Sequence, residues 1–150
     1  MMYMLIIIIG VVLDQIFKYL TVTKLSEVAT FPLIENVFHL TYVKNTGAAF
    51  SMLSGKQGFL IAMTLIVIIF IFYYIWKNKN VEDKKWVVFS IAMIQSGAIG
   101  NLIDRIRLNY VIDYFDFRLI NFAVFNFADV LIVCGTILLG ILMIVFNKDI

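Results

Sequence analysis

The sequence predicts an all-α membrane protein with four transmembrane helices and a small β-rich segment at the extracytoplasmic interface. Of the 150 residues, 63% are hydrophobic and only 15% are charged, whereas soluble domains are roughly half apolar. Four apolar stretches, at about residues 1–20, 57–76, 86–105 and 129–146, are each long enough to cross a hydrocarbon core of about 30 Å. A chain of this length suits one domain, residues 1–150.

The first predicted span carries an internal pair of opposite charges. It lacks the basic start and the small-residue cleavage site of a secretory signal peptide, so we interpret it as a retained helix. Asp14 and Lys18 are one helical turn apart, which places them on one face where each can neutralise the other. An interfacial pair that only orients the helix is an equally good interpretation.

The segment between the first two spans predicts a β-rich interfacial structure. Residues 36–43 are rich in β-branched and aromatic side chains with partial alternation, which favours a short strand or hairpin. Lipid does not tolerate open strand edges, so this segment must lie in the interface or cover protein. We expect His39 to be a strand or interfacial side chain rather than a catalytic base.

The third span contains a polar stripe. Four side chains recur at helical spacing and predict a face turned into the protein: Ser90, Gly97, Asn101 and Asp104. Ser96 and Gly100 form a pair of small residues suited to close helix packing. Arg105 directly follows Asp104, and we assign this pair of opposite charges a structural or substrate-orienting role.

The fourth span follows a predicted loop, residues 111–129, with a carboxylate near each end. Ionisable groups at the edge of hydrocarbon are a functional hypothesis by default, and Asp113 and Asp129 bracket this loop. Asp129, Thr136 and Gly140 share one helical face, which predicts a stripe facing the helix bundle. The sequence therefore predicts that the functional residues lie near the two ends of this loop.

Four spans place both chain termini on one side of the membrane. Four lysines in the short loop between the second and third spans mark that side as cytoplasmic: Lys77, Lys79, Lys84 and Lys85. The segments 21–56 and 111–129 then share the extracytoplasmic face. The net charge of +2 comes with scattered lysines, which argues against a nucleic-acid partner.

Asp113 and Asp129 are predicted to meet near that face and to form a catalytic pair. Two carboxylates that share one proton hydrolyse a peptide bond without metal or cofactor, because the ionised member takes a proton from water while the protonated member polarises the carbonyl. Asp116 lies in the same stretch, and the residues alone do not choose between it and Asp113.

Other protease chemistries fit the residues less well. A single histidine and a single cysteine provide no zinc motif, and Cys134 is expected to be a buried, inert thiol. The rhomboid GxSG serine and the presenilin-type GxGD motif are absent. A serine–lysine dyad from Ser51 or Ser54 with Lys44 or Lys56 is conceivable, although lysine keeps its proton in a wet loop.

A non-enzymatic membrane protein is the main alternative from another class. In a transporter or assembly factor, Asp14, Asp104, Asp113 and Asp129 would form a proton or ion path. Such a path needs acidic groups staggered through the membrane depth, whereas three of these four cluster towards one face. The sequence shows no inverted repeat of the kind that transporters use.

Five short blocks, in order, resemble the lipoprotein signal peptidase family, also called signal peptidase II. They are Asp14-Gln15 with Lys18, NTGAAFS at 45–51, GNLIDR at 100–105, VID at 111–113 and FNFAD at 125–129. The resemblance implies a bacterial plasma-membrane aspartyl endopeptidase that removes the signal peptide of prolipoproteins just before a diacylglyceryl-modified cysteine. It also implies inhibition by the cyclic peptide globomycin, and we expect a monomer without metal or cofactor.

The resemblance assigns roles to individual residues. It implies that Asp113 and Asp129 are catalytic, which leaves Asp116 as a solvated loop charge. It implies that six residues line the pocket: Asn45, Gly47, Asn101, Arg105, Asn126 and Ala128. Asp14 and Lys18 match a supporting polar pair, to which we add Asp104.

Overall fold

The computed structural model describes residues 2–48 and 52–146, which form four long helices and one three-stranded sheet. The elements are α1 (Met2–Leu25), β1 (Thr30–Ile34), β2 (Phe38–Asn45), α2 (Gln57–Asn78), α3 (Lys85–Leu108), β3 (Val111–Phe117) and α4 (Phe127–Ile144). All four helices are apolar and long enough to cross a membrane. The predicted fold class is therefore confirmed.

Helix α3 is the centre of the bundle, because it packs against each of the other three helices. Its predicted polar stripe does face the protein interior, since all four members are buried: Ser90, Gly97, Asn101 and Asp104. The other three helices expose most of their surface. A central helix with buried polar groups can hold a site inside an otherwise apolar bundle.

Small residues bring α1 and α4 close to α3. Ser96 Oγ donates a hydrogen bond of 3.2 Å to the Ile7 carbonyl of α1. A Cβ atom on Gly97 would collide with the carbonyl oxygen of Ala128 in α4, and one on Gly100 would press on the Asp14 carboxylate. The predicted role of Ser96 and Gly100 in close packing is confirmed, and Gly97 adds the same role towards α4.

The sheet is antiparallel with strand order β1-β2-β3. The short strand or hairpin predicted at residues 36–43 is strand β2, which forms a hairpin with the preceding β1. Pro32 lies in β1, an edge strand, where its missing N–H is tolerated. The prediction that residues 111–129 form a loop is wrong, because 111–117 are strand β3. This strand pairs with β2, which is distant in the sequence, so no turn motif next to β3 predicts the pairing.

The pairing of β2 with β3 decides how the chain is arranged. Because β2 follows α1 and β3 follows α3, the segments between α1 and α2 and between α3 and α4 meet at one end of the bundle. The first residue of α1 and the last of α4 lie at the other end. This is the shared face that the four-span topology predicts.

The predicted bundle-facing stripe of α4 is displaced by one residue. Thr136 is exposed, and Gly140 has open space around its Cα. The buried positions of α4 are Ala128, Gly135 and Leu142. One residue corresponds to a rotation of about 100°, which spacing alone does not resolve. Cys134 is exposed, so the prediction of a buried thiol is wrong.

Candidate active site

Asp113 lies near the start of β3 and is only 2% exposed. The Asn45 side-chain amide donates to Asp113 Oδ2 at 2.9 Å. The Asn126 amide donates to Asp113 Oδ1 at 2.6 Å. Strand pairing places the first donor here, because Asn45 ends β2 where it runs beside β3. Both oxygens of this carboxylate thus have a fixed donor.

Asp129 occupies the first turn of α4 and forms a capping box with Asn126. Its Oδ2 atom accepts the backbone N–H of Asn126 at 3.1 Å, and its own N–H donates to Asn126 Oδ1 at 2.9 Å. The Asn101 amide of α3 donates to Asp129 Oδ1 at 2.8 Å. Both oxygens of this second carboxylate are therefore also held by N–H donors.

Two asparagines connect the two carboxylates. Asn126 Nδ2 donates to Asp113 and also to Asn101 Oδ1, the latter at 3.1 Å. Asn101 in turn donates to Asp129. Asp113 and Asp129, which are 16 residues apart in the sequence, are thus the two ends of one hydrogen-bonded network.

The N-terminus of α4 is held by side chains from three elements. The Phe127 N–H donates to Tyr114 Oη of β3 at 3.1 Å, and the Ala128 N–H donates to Asp14 Oδ1 of α1 at 3.1 Å. Asn126, the N-cap residue of α4, accepts the third N–H, that of Asp129. These contacts satisfy the N–H groups that a helix start leaves open, and they fix Asp129 relative to β3.

Arg105 and Gly47 hold the end of β2 against α3. Arg105 Nη2 donates to the Gly47 carbonyl at 3.0 Å, and the Gly47 N–H donates to Asn45 Oδ1 at 2.9 Å. The expected pairing of Asp104 with Arg105 is not the one that forms. Adjacent helical residues point about 100° apart, and Asp104 contacts Lys18 at 3.0 Å instead.

Lys18 lies between two carboxylates inside the bundle. Its ammonium contacts Asp14 at 2.9 Å and Asp104 at 3.0 Å, and the three side chains are at most 3% exposed. The predicted pairing of Asp14 with Lys18 is therefore present. It is a buried cluster that joins α1 to α3 rather than an interfacial pair.

Burial and charge act on Asp113 together. Removal from water, followed by repulsion from the Asp129 carboxylate, raises the pKa of Asp113 to about 6. The hydrogen bonds from Asn45 and Asn126 oppose this shift. With this pKa, the Asp113 carboxyl group keeps its proton in weakly acidic solution, where an unperturbed aspartate has lost it.

A cavity of about 800 Å³ opens beside the two carboxylates. Asp113, Asp129 and Arg105 line its polar part, together with Asn45 and Asn101. The remaining wall is mainly apolar and comes from α2, α3, α4 and the segment before α4; it includes Met63, Val67, Ile94, Ala98, Phe125, Val130 and Val133. The site therefore joins a pair of acids to a volume suited to apolar groups.

The profile of the family described as signal peptidase (SPase) II matches residues 6–145. The chain belongs to the signal peptidase II family. The lipoprotein signal peptidase of Clostridioides difficile (strain 630) is 47% identical over 151 residues, which cover 99% of this chain and 98% of that protein. The lipoprotein signal peptidase of Caldanaerobacter subterraneus subsp. tengcongensis is 48% identical over 134 residues, which cover 89% of this chain and 90% of that protein.

Solved structures agree with this assignment. A bacterial membrane enzyme determined at 2.3 Å resolution superposes with a TM-score of 0.82 and 29% identity, and covers 99% of this chain and 92% of its own. A second bacterial membrane enzyme gives a TM-score of 0.80 at 30% identity, and covers 99% of this chain and 94% of its own. The protein is thus a signal peptidase II enzyme, and the non-enzymatic alternative is excluded.

Within this signal peptidase II, Asp116 is separated from the pair. It lies three residues after Asp113 in β3, so the two side chains leave opposite faces of the strand. Asp116 accepts a hydrogen bond of 2.6 Å from Thr41 and pairs with Arg118 at 2.9 Å. Its expected state as a solvated loop charge is wrong, because it is an ion-paired strand residue whose side chain is 13% exposed.

Other expected residues of this signal peptidase II have distinct places. His39 is a buried strand residue with Nδ1 3.3 Å from Thr30 Oγ1, which confirms its predicted location in a strand. Ser54 hydrogen-bonds to Thr46, and the Lys44 ammonium lies 5.3 Å from the ring centre of Tyr110. Ser54 and Lys44, one of the conceivable serine–lysine pairs, therefore each have another partner. Ser51 lies outside the described residues.

Two residues near this signal peptidase II site were not singled out by sequence reasoning. Tyr114 follows Asp113 and supports the α4 N-terminus, but a buried aromatic residue in a strand gives no special signal. Gln15 donates to both carboxylates that neutralise Lys18. The position of Gln15 next to Asp14 in the first family block is the sequence feature that could have indicated this role. Ala128 is fully buried against α3, and its backbone rather than its side chain contacts Asp14.

Proposed function

We propose that this enzyme removes the signal peptide of diacylglyceryl-modified prolipoproteins, cleaving before the lipidated cysteine, with Asp113 and Asp129 activating water. The observation that carries the proposal is the network in which Asn126 and Asn101 link the two carboxylates at the polar end of the cavity. Family membership supports the substrate class, and the geometry of this network supports the chemistry.

Burial of Asp113 and its repulsion from Asp129 favour an acid–base division of roles, because both raise the pKa of Asp113. All four carboxylate oxygens of the pair accept one N–H each. Repulsion between two carboxylates linked by one network favours a state in which the pair holds a single proton. The ionised member removes a proton from water as the oxygen attacks the scissile carbonyl, and the protonated member donates to the carbonyl oxygen. On collapse, the pair returns a proton to the leaving amine.

The cavity accounts for a lipidated substrate. Its apolar wall would receive acyl chains, and each buried methylene contributes about 0.8 kcal/mol. The carboxylates at the polar end then meet the peptide bond next to the lipidated cysteine. Arg105, which donates a hydrogen bond to the Gly47 carbonyl, would hold the substrate peptide beside the two acids together with Asn45. Globomycin would occupy the same part of the cavity.

The membrane orientation follows from the lysine-rich loop between α2 and α3. With that loop in the cytoplasm, both termini are cytoplasmic, and the active site lies near the extracytoplasmic face of the bacterial plasma membrane. The residues 1–150 act as one peptidase domain, in a monomer that contacts membrane lipid and requires no metal or cofactor.

A cleavage assay with matched substrates tests the proposal. The purified enzyme is given one prolipoprotein with and without diacylglyceryl on its cysteine, and the product N-terminus is sequenced. We expect cleavage before the lipidated cysteine, at least about 100-fold faster than in the unmodified protein, given the number of methylenes buried. Globomycin should block the reaction and a chelator should not. Equal cleavage of both substrates, or loss of activity with the chelator, would contradict the proposal.

The pH dependence tests the shared proton. An acid whose pKa is raised keeps its proton below that pKa and loses it as the pH rises through it, and the pKa of Asp113 is raised to about 6. We therefore expect kcat/KM to fall about tenfold per pH unit once the pH is well above the apparent pKa of the pair. The raised pKa of Asp113 also makes its contribution to stability greatest at low pH. A kcat/KM that rises across the same alkaline range would refute the assignment.

A further inference from the structure

The Lys18 ammonium uses all of its hydrogen-bonding capacity inside the protein. Its three shortest contacts are Asp14 Oδ2 at 2.9 Å, Asp104 Oδ2 at 3.0 Å and Asn101 Oδ1 at 3.0 Å, and the Gly100 carbonyl lies farther away at 3.5 Å. An ammonium group has three hydrogens and no acceptor. Each hydrogen thus has one good oxygen partner, and the residue as a whole is 1% exposed.

The third contact determines which way the Asn101 amide points. Because an ammonium can only donate, the Asn101 atom that faces Lys18 must be the oxygen. The Nδ2 atom is then turned to Asp129 Oδ1 at 2.8 Å. The Asn126 amide, which donates to the same Asn101 oxygen at 3.1 Å, requires the same orientation. The reversed amide would place N–H groups against the ammonium and an oxygen against the carboxylate.

The two carboxylates that neutralise Lys18 each hold a segment that carries a member of the pair. Asp14 Oδ1 accepts the backbone N–H of Ala128, which directly precedes Asp129. Asp104 Oδ2 accepts the backbone N–H of Ile112, which directly precedes Asp113. The cluster around Lys18 therefore contacts the main chain next to both acids as well as the Asn101 side chain.

We propose that Lys18 is a positioning residue for proteolysis, which orients the Asn101 amide so that its N–H, and not its oxygen, faces Asp129. This role rests on the proposed function of Asp113 and Asp129 as the catalytic pair. Lys18 touches neither acid in the described contacts, and it acts through Asn101. Without it, the Asn126 N–H at 3.1 Å is the remaining described donor to the Asn101 oxygen, so the amide that donates to Asp129 is held less firmly in this orientation.

The first test compares Lys18→Met with Gln15→Leu. Gln15 Nε2 donates to Asp14 at 3.2 Å and to Asp104 at 3.1 Å, the same two carboxylates, and has no described contact with Asn101. We expect Lys18→Met to lower kcat by about 100-fold with little change in KM, the size of effect seen when one preorganised donor is removed. Gln15→Leu should keep kcat within about threefold. Equal losses in the two variants would overturn the inference, because they would indicate support of the cluster alone.

A double-mutant cycle identifies the path of the effect. In an Asn101→Ala background there is no amide to orient, so Lys18→Met should cause less than about a threefold further loss in kcat. Losses that multiply would show that Lys18 does not act through Asn101, and would overturn the inference.

A charge-conserving variant covers the case in which Lys18→Met alone does not fold. Asp14→Asn combined with Lys18→Met removes one charge of each sign and keeps an oxygen for the Ala128 N–H. We expect this variant to show the same drop in kcat relative to Asp14→Asn alone. If the double variant has the same kcat as Asp14→Asn and Asp113→Asn is inactive, the role of Lys18 is refuted and the catalytic pair stands. If Asp113→Asn is active, the catalytic pair itself is refuted.

Discussion

Replacement of either carboxylic acid, by Asp113→Asn or Asp129→Asn, is expected to abolish cleavage of a lipid-modified prolipoprotein. Neither amide can take a proton from water, and neither can exchange roles with its partner during the reaction. Loss of one member of a catalytic unit typically lowers kcat by about 10⁴-fold or more. The measurement is the single-turnover cleavage rate of purified enzyme at saturating substrate.

Both variants should remain folded. In Asp113→Asn, the new amide keeps one side-chain oxygen for one of the two donors that the acid has, from Asn45 and Asn126. Asp129→Asn changes the capping box but leaves the Asn126 cap of the backbone N–H at position 129 in place, and such changes cost about 1 kcal/mol. Thermal unfolding in detergent checks this point.

Asp116→Asn is the matched control, because it removes an acid from the same strand. The Asp116 ion pair is screened by water on the side of Arg118, whose side chain is 41% exposed, and it is worth about 1 kcal/mol or less. We expect this variant to keep most of its activity. Substantial activity in Asp113→Asn or Asp129→Asn, or an inactive and folded Asp116→Asn, would show that the wrong acids have been chosen.

Substitution of Asn126 is expected to have the second-largest effect, because this side chain has two separable roles. Its oxygen caps α4 through the Asp129 N–H, while its Nδ2 atom donates to Asp113 and Asn101. Asn126→Ala removes both roles. We expect a loss of about 1 kcal/mol in the free energy of unfolding from the missing cap and about a 100-fold to 1,000-fold lower kcat from the missing donor.

Asn126→Ser separates the two roles. Serine is as good an N-cap as asparagine, but its shorter side chain does not span the 2.6 Å hydrogen bond that Asn126 makes to Asp113. Because serine keeps the cap, this variant should be about 1 kcal/mol more stable than Asn126→Ala and should show the same low kcat. If Asn126→Ser instead recovers full activity, Asn126 serves only as a helix cap.

The sequence predicts side-chain placement correctly where the residues concerned lie on one helix and its period sets which of them share a face. The polar stripe of α3 and the pairing of Asp14 with Lys18 follow from one helical period, and both are present. The same reasoning failed on α4, where the buried face begins at Ala128 rather than at Asp129. A stripe of three weakly polar or small residues does not define a rotation, because apolar side chains fill every face of a lipid-exposed helix.

Strand β3 shows a second limit. Its sequence, VIDYFDF, is rich in β-branched and aromatic residues, but its partner β2 lies more than 60 residues earlier in the chain. Pairing at that separation leaves no turn signal beside the strand. Missing this strand also affected the choice of catalytic residues. The alternation of side chains in β3 places Asp113 and Asp116 on opposite faces, which distinguishes the two acids.

Composition and local spacing are sufficient to predict a four-helix membrane protein and the end of the bundle at which its acids gather. The resemblance to the signal peptidase II family adds the sequence blocks that contain these acids. Tertiary structure alone decides that Asn126 and Asn101 link the acids, that Asp104 pairs with Lys18 instead of Arg105, and that Tyr114 supports α4. The physical reason is that hydrogen bonds and ion pairs depend on distance and direction in space, whereas spacing along one helix or strand specifies only which side chains leave the same face.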